Sequence, residues 1–169
     1  TRTPAPVDGL IVEALYAASF EQAGDNAVIH VKSRMVVINQ RNEQTTLQLP
    51  IREAALNKAV IDGQSASLQA SGGGYSVVLS KRGTHVLDIE FDLPAITEGP
   101  AGRFTLKVLP TAAAKLSVQL PKIMGDRDLR VNGATGAYRI REGEAGPVLD
   151  TAVDRGGDIT VSWQPRATR

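Results

Sequence analysis

From Ala27 to Asn39 the chain alternates with a period of two. Ile29, Val31, Ser33, Met35 and Val37 fall on one side, and Val28, His30, Lys32, Arg34 and Val36 on the other. Successive side chains of a strand point to opposite faces, so this is the pattern of a β-strand with one face buried and one face wet. The alternation returns from Val86 to Leu93, where Leu87, Ile89, Phe91 and Leu93 oppose Val86, Asp88, Glu90 and Asp92. Shorter versions run through Leu47, Leu49 and Ile51, through Phe104, Leu106 and Val108, through Leu116, Val118 and Leu120, and through Ile159, Val161 and Trp163. A chain patterned this way buries its apolar sides by pairing strands and stacking sheets. No long segment carries the i, i+3, i+4, i+7 stripe of a helix. The best helical candidate, Ile51 to Ala59, is short, and Pro110 to Ala114 leaves room for a single helical turn.

Turn residues divide the alternating segments. Asp62-Gly63 between β-compatible residues signals a tight hairpin. Ser71-Gly72-Gly73-Gly74 and Lys81-Arg82-Gly83 supply two more turns, and together they predict a four-strand meander from Ala55 to Leu93. Leu10 to Tyr16 reads as a further strand. The expectation is an all-β fold: an antiparallel β-sandwich, jelly-roll or Ig-like, of about ten to twelve short strands. Residues 1–7 read as a linker or a processed N-terminus, 8–165 as one sandwich domain, and 166–169 as a tail.

Composition narrows the chemistry. Without cysteine there is no disulfide, thiolate metal site or cysteine nucleophile. Nineteen Lys and Arg against eighteen Asp and Glu give a net charge of +1, so no basic excess points to nucleic acid. No apolar run approaches the roughly 20 residues of a helical membrane span. The two histidines, His30 and His85, are not tied together by sequence and read as surface or strand-end residues. Asp88, Glu90 and Asp92 share one strand face. They read as a solvated acidic row opposite Arg103, Thr105 and Lys107, with a hard cation as the alternative ligand. Asp126, Asp128, Asp154 and Asp158, in Gly-bearing loops, are calcium candidates, although turn chemistry explains them equally. No serine sits in a Gly-x-Ser-x-Gly elbow, and the glycine clusters lead into strands rather than phosphate-binding helices. Tyr16, Tyr75, Tyr138 and Trp163 are the candidate glycan contacts, although Trp163 alternates with the core. At Val36-Val37-Ile38 both faces become apolar, as at an interface or in a fully buried central strand.

Three pieces of the chain carry a resemblance: Ile61-Asp62-Gly63-Gln64, the run Gly74 to Leu79, and the run Gly83 to Pro94, continued by Gly102 to Leu106 and Pro110. Over Val60 to Pro121 the chain resembles β-sandwich modules of large bacterial cell-envelope and secreted proteins. The resemblance implies a non-enzymatic, extracytoplasmic structural or interaction module that assembles with itself or with other envelope components. It brings no catalytic residues; no cofactor is expected, with calcium at the loop aspartates as the alternative. The alternative is a carbohydrate- or ligand-binding β-sandwich. A hydrolase would have to draw on pairs such as Asp88 with Glu90 or Asp126 with Asp128, because histidine and cysteine are so scarce.

Overall fold

A computed structural model describes residues 9–23, 26–49, 51, 54–66, 68–71 and 74–166. In chain order its strands are β1 (Gly9–Ala23), β2 (Asn26–Asn39), β3 (Thr45–Leu49), β4 (Ala55–Ile61), β5 (Gln64–Ser65), β6 (Leu68–Ser71), β7 (Gly74–Leu79), β8 (Gly83–Glu98), β9 (Ala101–Val108), β10 (Ala113–Gln119), β11 (Arg127–Asn132), β12 (Arg139–Gly143), β13 (Gly146–Ala152) and β14 (Gly157–Pro165). One 3-10 turn, Lys122–Asp126, precedes β11. The all-β expectation holds.

The large sheet runs β11-β14-β9-β8-β2-β1-β10-β13-β12, with β4 also on β8 and β5 on β4. It curls because β8 serves two layers. Leu87 to Asp92 lie between β2 and β4, whereas Ile96 to Glu98 pair with Ala101 to Arg103 of β9. Strands β9, β14 and β11 therefore fold back over the inner face of β8, β2, β1 and β10. A smaller sheet, β3-β7-β6, adds Leu49, Val77 and Leu79 to the same core. The alternating residues meet there: Ile29, Val31 and Val37 from β2, Leu87 and Ile89 from β8, Phe104 and Leu106 from β9, and Ile159 and Val161 from β14 are essentially inaccessible. Phe20 of β1 meets Trp163 of β14 edge to face, with ring centroids 5.6 Å apart. Trp163 packs so closely on β9 that a Cβ at Gly102 would lie 2.6 Å from its ring.

Several expectations need correction. The sheet is mixed, not wholly antiparallel, since β1 and β10 pair in parallel from Glu13↔Ala113 to Ser19↔Gln119. Parallel neighbours need a long crossover, here the whole excursion from β2 to β9. Fourteen strands are described rather than ten to twelve, and β1, β2 and β8 are long, at 15, 14 and 16 residues. The helical candidate at Ile51–Ala59 is instead β4 from Ala55 onward, because pairing with β8 overrides short-range helix propensity. Arg52 and Glu53 lie outside the described residues. No helical turn forms at 110–114: the Thr111 amide donates to the Asp154 carbonyl, and Ala113 already belongs to β10.

The four-strand meander also breaks up. The Asp62-Gly63 turn forms, with φ of 49° and 82°, as a two-residue hairpin of this type requires. β6 and β7 form a hairpin whose turn residues Gly72 and Gly73 lie outside the described set. β7, however, pairs with β3, and β8 leaves for the large sheet. Asn39, fully buried at the end of β2, fixes this departure. Its Nδ2 donates to the carbonyls of Glu43, Leu79 and Lys81, and its Oδ1 accepts from the Arg41 amide. One amide side chain thus ties together the exits of β2 and β7 and the entry to β8.

Candidate functional site

The outer face of the large sheet is built in register, row by row. One row crosses six strands as Asp150, Ser117, Ala17, Lys32, Glu90 and Lys58, with Arg139 of β12 beyond Asp150. The next reads Ala152, Lys115, Leu15, Arg34, Asp88 and Val60. A third carries Gln119, Ser19, His30 and Asp92. The curl of the sheet turns the first two rows into a cleft of about 1030 Å³, open to solvent, with β12 and β13 on one wall and β4 on the other. Flat, six strands would span roughly 24 Å at about 4.8 Å each. Leu15 and Ala17 lie mid-row, and Leu15 is 46% exposed.

Along the middle of this face the basic residues of β2 meet the acidic residues of β8. Arg34 Nε donates to Asp88 Oδ1 at 2.8 Å, and Lys32 Nζ lies 3.7 Å from Glu90. His30 Nδ1 lies 2.5 Å from Asp92, and its Nε2 contacts Glu21 of β1. The two carboxylates, Glu21 first and then Asp92, raise the His30 pKa above its ordinary value. At Asp92 burial opposes ionisation, but hydrogen bonds from Asn57 and His30 prevail and lower its pKa. The acidic row is therefore paired, as the sequence suggested, but not with the predicted strand. Arg103, Thr105 and Lys107 belong to β9, where they face Ser162, Thr160 and Asp158 of β14. The alternation of His30, Lys32 and Arg34 was the signal for the true partner.

His85 is the other charged cluster, and it lies on the inner side of β8. It is 8% exposed rather than a plain strand-end residue. Its Nδ1 lies 2.6 Å from Asp62 Oδ2, and its Nε2 donates to the Lys81 carbonyl at 2.6 Å. Asp62, in the β4–β5 turn, also accepts from the Val86 amide through Oδ1. Asp62 raises the His85 pKa, and His85 lowers that of Asp62. The pair pins the hairpin to β8. No sequence spacing announced it, because the partners are 23 residues apart.

The predicted calcium residues do not converge. Asp126 pairs with Arg127 at 2.7 Å and Asp128 with Arg166 at 3.6 Å, at one end of β14. Asp158 pairs with Lys107 at 3.5 Å at the other end, and Asp154 lies in the turn before β14. Among the described residues no three His, Asp or Glu side chains form a group able to hold a metal ion.

Nor do the predicted glycan contacts form a platform. Tyr16 and Trp163 are core residues, each 3% exposed. Burial pushes the Tyr16 phenol up to about 12. Tyr75 is half-buried on β7, and the Tyr138 hydroxyl donates to the Leu129 carbonyl at 3.0 Å. At the suggested interface, Val37 points into the core, whereas Val36 and Ile38 are half-buried on the outer face beside exposed Leu10. β2 is a central strand between β1 and β8, so the apolar end has one face in the core and the other on the open outer side of the sheet.

Fold and face together define a class: a curled, mixed-sheet β-domain with one side packed and the other open. No protein-family model matches the chain, and no curated protein matches it in sequence. Solved structures do share the fold. An M1 zinc metallopeptidase from Deinococcus radiodurans matches 90% of the chain with a TM-score of 0.58 at 13% identity, over 42% of its own length. A Legionella pneumophila protein whose name offers nutrient binding as its role matches 92% with a TM-score of 0.61 at 10% identity, over 67% of its length. Yeast LTA4 hydrolase matches 92% with a TM-score of 0.57 at 12% identity, over 29% of its length. At these identities the likeness is one of fold. The chain spans less than half the length of either hydrolytic enzyme.

Proposed function

We propose that the chain is a non-enzymatic interaction module that works outside the cytoplasm and docks onto protein surfaces, its own or those of other envelope components. The observation that carries this reading is the open outer face of the large sheet. It spans seven strands from β12 to β4, and its long central strands are backed by a full core. It presents Leu10, Leu15, Val36 and Ile38 among paired charges. Leu15 lies mid-face, and Leu10, Val36 and Ile38 lie together at one end of it beside the paired charges; mixed apolar and charged surface of this kind is what non-obligate protein interfaces present. The extracytoplasmic setting is supported by the resemblance of Val60 to Pro121 to envelope modules. The metallopeptidase and hydrolase activities named among the fold neighbours belong to those longer proteins.

A second reading has its own support. The cleft is large enough for a small ligand, and one fold neighbour is named for nutrient binding. Sedimentation velocity across a wide concentration range, with wild type and Leu15→Arg, separates the readings when combined with a glycan array. The expected result is association, with itself or an envelope protein, that Leu15→Arg abolishes while the circular dichroism stays unchanged. A monomer at every concentration that instead binds a free sugar would transfer the case to the second reading.

A further inference from the structure

We infer that the outer cleft takes an acidic, partly apolar peptide segment of its partner, held between Lys58 on one wall and Lys115 toward the other. This rests on the interaction-module reading and adds the chemistry of the occupant.

Charge complementarity carries the argument. Five cationic side chains and three carboxylates line the cleft. All three carboxylates are already engaged: Asp88 by Arg34 at 2.8 Å, Glu90 by Lys32 at 3.7 Å, and Asp150 by Arg141 at 2.8 Å. Arg141 and Ser117 lower the Asp150 pKa against the effect of its burial, so that carboxylate stays charged. Lys58 and Lys115 are exposed and make no ion pair among the described residues, although Lys58 is in register with Glu90. The unspent charge in the cleft is therefore positive: Arg139 of β12 adds its field to that of Arg141 on Asp150, and Lys58 and Lys115 sit on two strands separated by β1, β2 and β8. Between the two lysines the floor is apolar at Leu15 and Ala17 of β1 and carries the mutually paired Lys32–Glu90 and Arg34–Asp88 on β2 and β8, and Val60 lies beside Lys58's strand position on the β4 wall. A floor with an apolar strip and self-neutralised ion pairs, flanked by unspent cations, fits a peptide whose carboxylates flank an apolar side chain. It fits a nucleic acid less well, because a polyanion would also meet the three fixed carboxylates and find no aromatic platform.

Fluorescence anisotropy tests this with three labelled peptides: alternating Glu and Leu, the same with Gln for Glu, and the same with Lys for Glu. A single-stranded oligonucleotide is the fourth probe. The expected result is binding of the Glu peptide alone, weakened by added salt and weakened about tenfold or more in Lys58→Glu/Lys115→Glu. Lys58→Gln/Lys115→Gln should fall between that variant and the wild type. Both lysines are exposed, so circular dichroism should be unchanged. Equal binding of the Gln or Lys peptide would overturn the charge inference and leave the interaction module standing. Tight binding of the oligonucleotide, or Glu-peptide binding indifferent to both double variants, would also overturn it. If no probe binds, the acidic segment is wrong, and the Leu15→Arg sedimentation result decides separately whether the face docks at all.

Discussion

The two faces of β2 and β8 are built from the same thirteen backbone pairs, Ala27↔Ala95 to Asn39↔Gly83, yet they do different work. On the inner face Ile29, Val31, Met35 and Val37 meet Leu93, Phe91, Leu87 and His85, and nearly all of this surface is removed from water. On the outer face His30, Lys32 and Arg34 meet Asp92, Glu90 and Asp88. All the cations lie on β2 and all the anions on β8. A slip of two residues would still set opposite charges against each other, so the ladder favours pairing without choosing the register. A slip of one residue would send the apolar set into water, which the inner face forbids. The buried face and the Asn39 junction therefore specify the register, and the charged face decorates it.

The sharpest way to break this comparison is to truncate neighbours on opposite faces. Leu87→Ala removes a fully buried side chain and should cost about 2–5 kcal/mol through lost burial and the cavity left behind. Asp88→Ala, one residue along, removes a surface ion-pair partner and should cost less than about 1 kcal/mol. Urea unfolding of the two variants measures the difference as a shift in midpoint at constant slope. Equal losses would mean that the ladder carries the sheet.

His85 is the titratable group on the buried face, and it should behave unlike the exposed ladder. His85→Gln should cost roughly 1–2 kcal/mol, since the Lys81 carbonyl and Asp62 lose a charge-assisted partner. The pH dependence has a definite sign. Folding raises His85 above its ordinary 6.5, so its contribution is complete below 6.5 and is lost as pH rises through the folded value. Folding lowers Asp62 below its ordinary 3.8, so its contribution is present above 3.8 and is lost as pH falls through the folded value. Stability measured against pH should show a step on the alkaline side of 6.5 that His85→Gln flattens. His30 has a raised pKa with the same sign, and it will leave a residual step. A variant as pH-sensitive as the wild type would remove His85 from the account.

Much of the fold was legible because it depends on a period of two. Ile29 to Val37, Leu87 to Leu93, Phe104 to Val108 and Ile159 to Trp163 all bury the side that alternation assigned to the core. The Asp62-Gly63 turn was legible because only a few residues tolerate its backbone. Partnership was harder to read, since alternation says which side is wet but not which strand lies alongside. The acidic row was therefore set against β9, its neighbour in the chain, when its partner was β2, more than fifty residues earlier. The parallel β1–β10 pair was hidden for the same reason. Asn39 read as the end of an alternating strand, and nothing local shows that the carbonyls of Leu79 and Lys81, 40 and 42 residues on, join that of nearby Glu43 at its side chain. The cleft was invisible in one dimension, because it exists only after six strands line up and the sheet curls.

The smallest effect tests the ladder alone. Lys32 and Glu90 face each other across the β2–β8 pair, with 76% of the lysine side chain exposed. In water a pair so exposed gains little, and ordering the lysine offsets part of that gain. Lys32→Ala should cost less than about 1 kcal/mol at low salt. A double-mutant cycle with Glu90→Ala should return a coupling of a few tenths of a kcal/mol, which vanishes at molar salt, where the Debye length is about 3 Å. Persistence of the coupling at high salt would mean that the pair is held in a drier setting than the open cleft allows. A vanishing coupling beside an intact, salt-sensitive affinity for the acidic peptide would divide the work on one face: Lys32 neutralises Glu90, and Lys58 and Lys115 are left with charge to spend on a partner.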